Sequence, residues 1–492
     1  MGKAKGLISY LDEKEMELLH EGALSVLEKT GVRIDHLKAR AYLTDYGCVS
    51  DENTHIVKFP AAVTQKCVDK MRADYASGER SAVPPMRYTE MYLSTVPKGI
   101  KHGFTVNAGG FPPYIIDLGG KRREADINDV TDSVRLADAL DNIDLIGLPC
   151  SAFEIPYEMR PVAMAAELVK NTAKPGGIEA WTVKDVKYIN EIAEVVRGSR
   201  EELRRRPFLI GYGEIKSPLT LDYNMCEIFI EYVRLGFPQS LDTMPCGGTT
   251  APASGAGVLA QGLAETLAGL VLGYSIDGDA WVSIDMTPGF ADMQTMLFPY
   301  AGADRIPLTA AANQMMREYY GRPGGCHAGK TDACFPGAQA GFEKALSAVF
   351  PILCGATGIG TLGQLEGGVA FSPVQLVIDN EIVGYIKRAL AGFDVTEETL
   401  ALDVINETGP GGNFIEHEHT AANFRKEFYF SEILEKMPRA LWESRELKGV
   451  EELAAEKAKK IIREQRPKPL NEYQEKEIGN IVKRAYKDIL GA

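Results

Sequence analysis

From about residue 125 onward, helical patterns of roughly 12 to 20 residues alternate with short apolar or β-branched runs, and no other feature limits the possible folds as strongly. Repeats of that length build parallel sheets, because a parallel crossover needs a helix-sized connection. The expected strands are 145–149, 177–181, 207–212, 239–244 and 279–285, and the expected helices are 126–141, 159–172, 184–197, 220–235, 255–274 and 308–320. Further alternation through 324–327 and 355–362 supplies enough strands to close a TIM-type (β/α)8 barrel. An open doubly wound α/β sheet is the rival fold. The barrel is favoured because no GxGxxG follows the first strand, and because small and polar residues gather after many different strands.

Helical additions flank this core. Asp12 and Glu15 have capping-box spacing, and Met16, Leu19, Ala23, Val26 and Leu27 fall on one face before Gly31. A short strand at 32–34 and a helix from Pro60 to about Met71 follow, and Pro84-Pro85 marks a connection. Residues 102–117, with the turn Leu118-Gly119-Gly120, read as extended structure with a hairpin. After about residue 420 the chain is charged and helical, ending in helices at 450–465 and 471–488. This tail is expected to pack on the barrel or on a neighbouring subunit, so a homo-oligomer is expected. The expected domains are a helical region over 1–100, the barrel over 101–420 and a helical appendage over 421–492.

Lys and Arg number 54 against 68 Asp and Glu, a formal net charge of −14, and Arg204-Arg205-Arg206 is the densest basic run. Nucleic acid is therefore not an expected partner. The first ten residues lack a sustained apolar run, so the expected location is the cytoplasm. The most apolar stretch, 255–276, contains Gln261 and Glu265 and reads as a buried helix, so no membrane association is expected. Eight scattered cysteines without CxxC spacing support neither a disulfide framework nor a four-cysteine zinc site.

Chemistry on a barrel collects at the C-terminal strand ends. Those positions hold Asn107, Glu179, Tyr212, Glu214, Asp285, the run Pro245 to Thr250 and the run Cys326 to Asp332. Gly247-Gly248-Thr249-Thr250 precedes a long helix, and its amides could hold a carboxylate; a tight turn explains the glycines equally well. His327 sits beside Cys326 in a Gly-rich segment, as a site residue or as a loop histidine. His417 and His419 lack HExxH spacing, so no metal is assigned to them. Asp285 either faces the site or caps a helix. Phe104, Phe111, Tyr114, Trp181 and Tyr212 lie near expected strand ends, where they either surround a cation or fill the core. Neither a Walker motif nor GxSxG occurs.

The block Met244-Pro245-Cys246-Gly247-Gly248-Thr249-Thr250-Ala251-Pro252, continuing through Ala260-Gln261, Ala264-Glu265 and Leu267-Ala268-Gly269, resembles the central motif of the trimethylamine methyltransferase family. Segments 24–35 (LSVLEKTGVRID), 339–345 (QAGFEKA), 379–381 (DNE) and 409–420 (GPGGNFIEHEHT), the last followed by Phe424-Arg425, resemble it in the same order. The resemblance implies a TIM barrel that moves a methyl group from a methylated amine to the Co(I) corrinoid of a separate small protein. No tightly bound cofactor is implied, since the corrinoid is supplied by that partner. Trimethylamine enzymes proper carry pyrrolysine at a position that aligns near Cys334, shortly before Gln339, whereas this chain has an ordinary residue there. It therefore resembles the non-pyrrolysine branch, which demethylates quaternary amines.

Glycine betaine is the first expected donor, with proline betaine, carnitine or trimethylamine as alternatives. A quaternary ammonium already carries a neutral leaving group, so no acid–base dyad is required. His327, His419, Arg317 and the Gly247-Gly248 amides are candidate partners for a donor carboxylate, with His327, His419 and Asp285 as positioning groups. The cage and its rim are assigned to Phe104, Phe111, Trp181, Tyr212, Glu214, Cys334 and Gln339. Two other readings stay open: a non-catalytic quaternary-amine-binding protein, and a zinc methyltransferase using Cys326, His327 and Cys334.

Overall fold

A computed structural model describes residues 8–76, 104–205, 207–208, 211–322, 324–444 and 447–491. Seven short parallel strands form its centre: β1 (Thr105–Ala108), β2 (Leu145–Ile146), β3 (Gly211–Ile215), β4 (Gln239–Thr243), β5 (Val282–Ile284), β6 (Gly325–Cys326) and β7 (Gly358–Leu362). They pair in two arcs. One runs β6–β7–β1–β2 and the other β3–β4–β5, so the last strand lies beside the first.

The fold is mixed α/β with parallel sheets, but the hydrogen-bonded ring expected of a barrel is not closed among the described residues. The expected strand at 177–181 contributes only the bridge between Ile146 and Pro175. Pro175 has no N–H to give, and Gly176-Gly177 follow it without side chains to pack, so the ladder ends there. The second gap lies between β5 and β6. The third expected strand begins later than 207, at Gly211, with residues 209–210 outside the described set. Beyond β1, residues Tyr114–Ile116 and Arg122–Glu124 pair antiparallel, as the hairpin reading required.

Helices connect the strands: Ile127–Asp138, Arg160–Asn171, Val183–Arg197, Tyr223–Leu235, Arg305–Gln314, α2 (Gly255–Ile276), α3 (Ala338–Leu353) and α4 (Pro373–Ala391). Their starts are written locally. Asp126 accepts from the amides of Asn128 and Asp129, and Asp12 accepts from Glu15, opening α1 (Glu13–Lys29).

α2 is apolar on every side because it is covered on every side. Leu241 and Ile284 of the strands press on one face, and α1 with helices Leu37–Asp45 and Ala61–Ala76 packs on the other, in one continuous core. It is long and apolar enough to cross a membrane by length and composition, and 72% of its most apolar window is buried in the protein. The tail helices α5 (Val450–Glu464) and α6 (Glu472–Leu490) lie on the outer helix layer, where Ala454, Ala458, Ile478, Ile481 and Ala485 enter the core beside β1 and β2. Pro84-Pro85 lies outside the described residues.

Candidate active site at the strand mouth

Strand register builds the site. Asp242 of β4 stands directly opposite Glu214 of β3, while Leu241 stands opposite Ile284 of β5. Side chains alternate along a strand, and Leu241 and Ile284 face the outer core, so Glu214, Asp242 and Asp285 all point inward at one level. Three adjacent parallel strands thus carry a row of three acids at their C-terminal ends. Glu179, in the neighbouring connection, extends it.

A cavity of about 590 Å³ opens against Glu214 and Asp242 of this row, lined also by Tyr157, Glu179, Trp181 and Thr243. Trp181 stacks on Tyr157 with ring centroids 4.6 Å apart. Asn224 donates to the Trp181 carbonyl at 2.9 Å, and the Trp181 amide donates to Asp185 at 3.1 Å, so the indole is held on both sides.

Burial, then the charge of Glu214, pushes the Glu179 carboxyl up to about 8. Burial and the Asp242 charge raise Asp285, with Arg322 partly opposing them. Asp242 is also raised, chiefly by burial, despite accepting from Thr287 Oγ1 at 2.7 Å and the Thr243 amide at 2.8 Å. A cation entering beside Glu179, Asp242 and Asp285 opposes the burial that raises them and favours their charged forms.

Facing the acids is a cationic edge. Lys330 Nζ lies 3.7 Å from the Tyr300 ring centroid, and the Tyr300 hydroxyl reaches Met244 Sδ at 3.4 Å on the cavity wall. Burial and the nearby Arg305 bring Lys330 down to about 7. Arg305, 3% exposed, donates from Nη1 to the carbonyls of Tyr300 and His327, while its Nε and Nη2 have no hydrogen-bond partner. A buried guanidinium edge with two free donors matches a carboxylate.

His327 Nε2 stands 3.7 Å from Asp242 Oδ2, too far for a hydrogen bond. Burial, then Lys330 and Arg305, hold the His327 pKa down to about 3, so the ring is neutral and its buried Nδ1 has no partner.

Of the residues expected at the site, Glu179, Trp181, Glu214, Asp285 and His327 come together here, and the backbone of Tyr212 lies in β3 beside them. The Tyr212 side chain is outside the described set. Phe104 is not brought in; it fills the core at the start of β1. Phe111 is half-buried against the same core. Arg317 sits on a π-helical turn, Met315–Tyr319, where its side chain lies beside Glu318 and Gly355 and is not among the residues lining the cavity. Cys334 is exposed, and Gln339 lies at the start of α3 bonded to Glu343. His419 opens helix Glu418–Glu427, where its amide donates to His417 Nδ1.

The Gly248, Thr249 and Thr250 amides are already bound to the carbonyls of Ala251 and Cys246, so they are not free for a carboxylate. Packing explains the glycines: a Cβ on Gly247 would lie 2.5 Å from Phe290, and Gly248 has φ +90°. The suggested zinc trio does not converge, since Cys326 Sγ turns to the Gly358 carbonyl while Cys334 faces outward. Asp242, Tyr300 and Arg305 are not among the residues expected at the site, and Lys330 is expected only as a member of the run Cys326 to Asp332. Asp242 had one sequence signal, its phase against Leu241 in a strand flanked by the Glu214 and Asp285 strands.

Comparison with known proteins places the chain among methyltransferases by sequence. The family described as trimethylamine methyltransferase (MTTB) matches residues 3–489. The trimethylamine methyltransferase MttB of Desulfitobacterium hafniense (strain DCB-2) is 29% identical, over 95% of this chain and 92% of that one. MttB of Methanosarcina barkeri (strain Fusaro) is 30% identical over 82% of this chain and 81% of its own. The glycine betaine methyltransferase of D. hafniense (strain Y51) is 26% identical over 91% of each. The crystal structure of the M. barkeri monomethylamine methyltransferase MtmB superposes over 98% of this chain and 90% of that one, at 12% identity and a TM-score of 0.45.

Proposed function

The chain belongs to the trimethylamine methyltransferase family, and on that premise we propose that it transfers a methyl group from a quaternary amine, glycine betaine before others, to the corrinoid of a separate protein. The observation that carries the reading is the meeting of Glu214 and Asp242 with Glu179, Tyr157 and Trp181: acid and aromatic surfaces converge on one cavity. That surface suits a permanent cation, which has no N–H to donate and is held by charge and ring faces. Across from it, Lys330 and the free edge of Arg305 suit the carboxylate of a betaine. They replace Arg317, His419 and the Gly247-Gly248 amides in that role.

The chain's residues orient and desolvate the donor. Breaking the C–N bond leaves the electron pair on nitrogen and yields a neutral tertiary amine, so no proton need move. The Co(I) corrinoid of the partner protein supplies the nucleophile. Placing the donor methyl toward the open mouth is the chain's main contribution, since aligned reactants save much of the bimolecular cost. We read the two arcs of strands as one (β/α)8 barrel over 101–420, with additions at 1–100 and 421–492, acting in the cytoplasm.

The test is incubation of the purified chain with a reduced corrinoid protein and, separately, glycine betaine, proline betaine, carnitine and trimethylamine. Methylcobalt absorbance with a quaternary donor is expected. Methylation from trimethylamine alone, or from no donor, overturns the proposal.

A further inference from the structure

The segment 379–381 (DNE) sends its two acids to different places. Positions two apart on an α-helix point about 200° away from each other, so Asp379 and Glu381 leave α4 on different sides. Asp379 meets Lys344. Glu381 is only 7% exposed, yet among the described residues no lysine or arginine pairs with it; its Oε1 accepts from the Tyr429 hydroxyl at 2.6 Å. Gly384 makes room for that hydroxyl, since a Cβ there would lie 2.5 Å from it. A carboxylate withdrawn from water is costly unless a cation accompanies it, so what this position lacks is a positive charge.

The surroundings of Glu381 identify what would carry that charge. It lines a cavity of about 390 Å³, a size usual for small-molecule sites, and no other charged side chain lines it among the described residues. Ile378, Ile382, Ile386 and Leu390 recur every four residues and form one apolar stripe along α4. From Glu381 to Leu390 the stripe runs about 13 Å at 1.5 Å per residue. Ile433 and Leu434 roof it, held in place by Ser431 Oγ, which accepts from both their amides at 3.2 and 2.7 Å. None of these residues lines the acid mouth, so this is a second cavity with its own walls.

A divalent metal does not suit it, because apolar walls offer no further oxygen ligands. A quaternary ammonium does not suit it either, having no N–H to bring to Glu381. An ammonium head on an aliphatic chain answers both parts of the cavity. We propose that this cavity binds an alkylammonium ion, its N–H groups on the Glu381 carboxylate and its chain along the stripe from Ile378 to Leu390.

Calorimetry of the full chain with n-octylammonium, titrated below its aggregation concentration, tests this. The wild type is expected to bind it saturably. Loss of a charge-assisted hydrogen bond should make Glu381→Gln weaker by about tenfold or more, with unchanged circular dichroism. Ala345→Phe, which fills the cavity from α3, is expected to abolish binding while the fold is kept. Octanoate is expected not to bind, and octan-1-ol to bind about tenfold more weakly than the ammonium. Asp242→Asn, at the acid mouth, is expected to leave octylammonium binding unchanged. No binding by the wild type, undiminished binding by Glu381→Gln or Ala345→Phe, equal binding of octanoate or octan-1-ol, or loss of binding in Asp242→Asn would each overturn the proposal. Methyl transfer is not measured, so failure here is distinct from failure of the functional reading.

Discussion

Lys344 Nζ lies 2.8 Å from Asp379 Oδ2, and both side chains are 1% exposed. Lys344 also donates to the Gly329 carbonyl, while Asp379 accepts from the Gly363 amide and Gln375 Nε2. This one pair therefore fastens α3 and α4 to the two strand-end segments, 327–332 and 363–364, that border the mouth. Removing one partner of a buried pair leaves a bare charge, so Lys344→Met is expected to cost about 3–5 kcal/mol in urea unfolding. Adding Asp379→Leu should recover part of it; full additivity of the two losses would show that the pair does not act as a unit.

Glu179 gives a pH signature. Its folded pKa, raised to about 8, exceeds the ordinary glutamate value of 4.5, so its contribution is fully present below pH 4.5 and is lost as pH rises through 8. Glu179→Gln should therefore be more stable than the wild type above pH 8, by roughly 2 kcal/mol after allowance for water in the cavity, and equal to it near pH 4. Thermal melts across that range check the sign. Cation binding should run the other way, tightening in the wild type as pH approaches 8.

Lys330→Met separates the two ends of the donor. Loss of a charge-assisted bond worth about 1.5–3 kcal/mol should raise KM at least tenfold for glycine betaine. Choline, which has no carboxylate, should bind the variant as well as it binds the wild type in calorimetry. Equal weakening of both ligands would remove Lys330 from the carboxylate site.

Glu265 is fully buried in the apolar α2, where it accepts from Ser217 Oγ at 2.7 Å, the Leu219 amide at 2.9 Å, Gln261 Nε2 at 2.9 Å and Thr243 Oγ1. Four donors keep it satisfied and pin the strand end that carries Asp242. Glu265→Leu strands those donors and should cost about 3–5 kcal/mol, Glu265→Gln about 1–2 kcal/mol, measured by chemical unfolding.

Much of the architecture could be read from residues alone, because its signals are local. Asp126 before an amphipathic run starts a helix wherever the chain goes, and 239–244 needs no partner to look like a strand. The acid row needed more. Glu214 and Asp285 drew notice as strand-end acids, but Asp242 joins them only once β4 is set in register between β3 and β5. Lys330 and Tyr300 lie 30 residues apart in sequence and meet through a loop whose path no periodicity encodes; Asp332 fixes it by accepting from the amides of Tyr300 and Ala301. Arg317 lies beside Glu318 and Gly355 and not among the cavity's lining residues, a placement set by packing between segments 38 residues apart that no local pattern encodes.

The apolar girth of α2 bears on how the chain tolerates being cut. Its outer face is roofed by residues 13–76, and its inner face by the strands that hold Glu214 and Asp242. Deleting that roof would bare a 22-residue greasy rod without touching a single acid of the mouth. A nick near residue 76 that lets the N-terminal piece dissociate should therefore be recorded first as precipitation, and only afterwards as lost turnover.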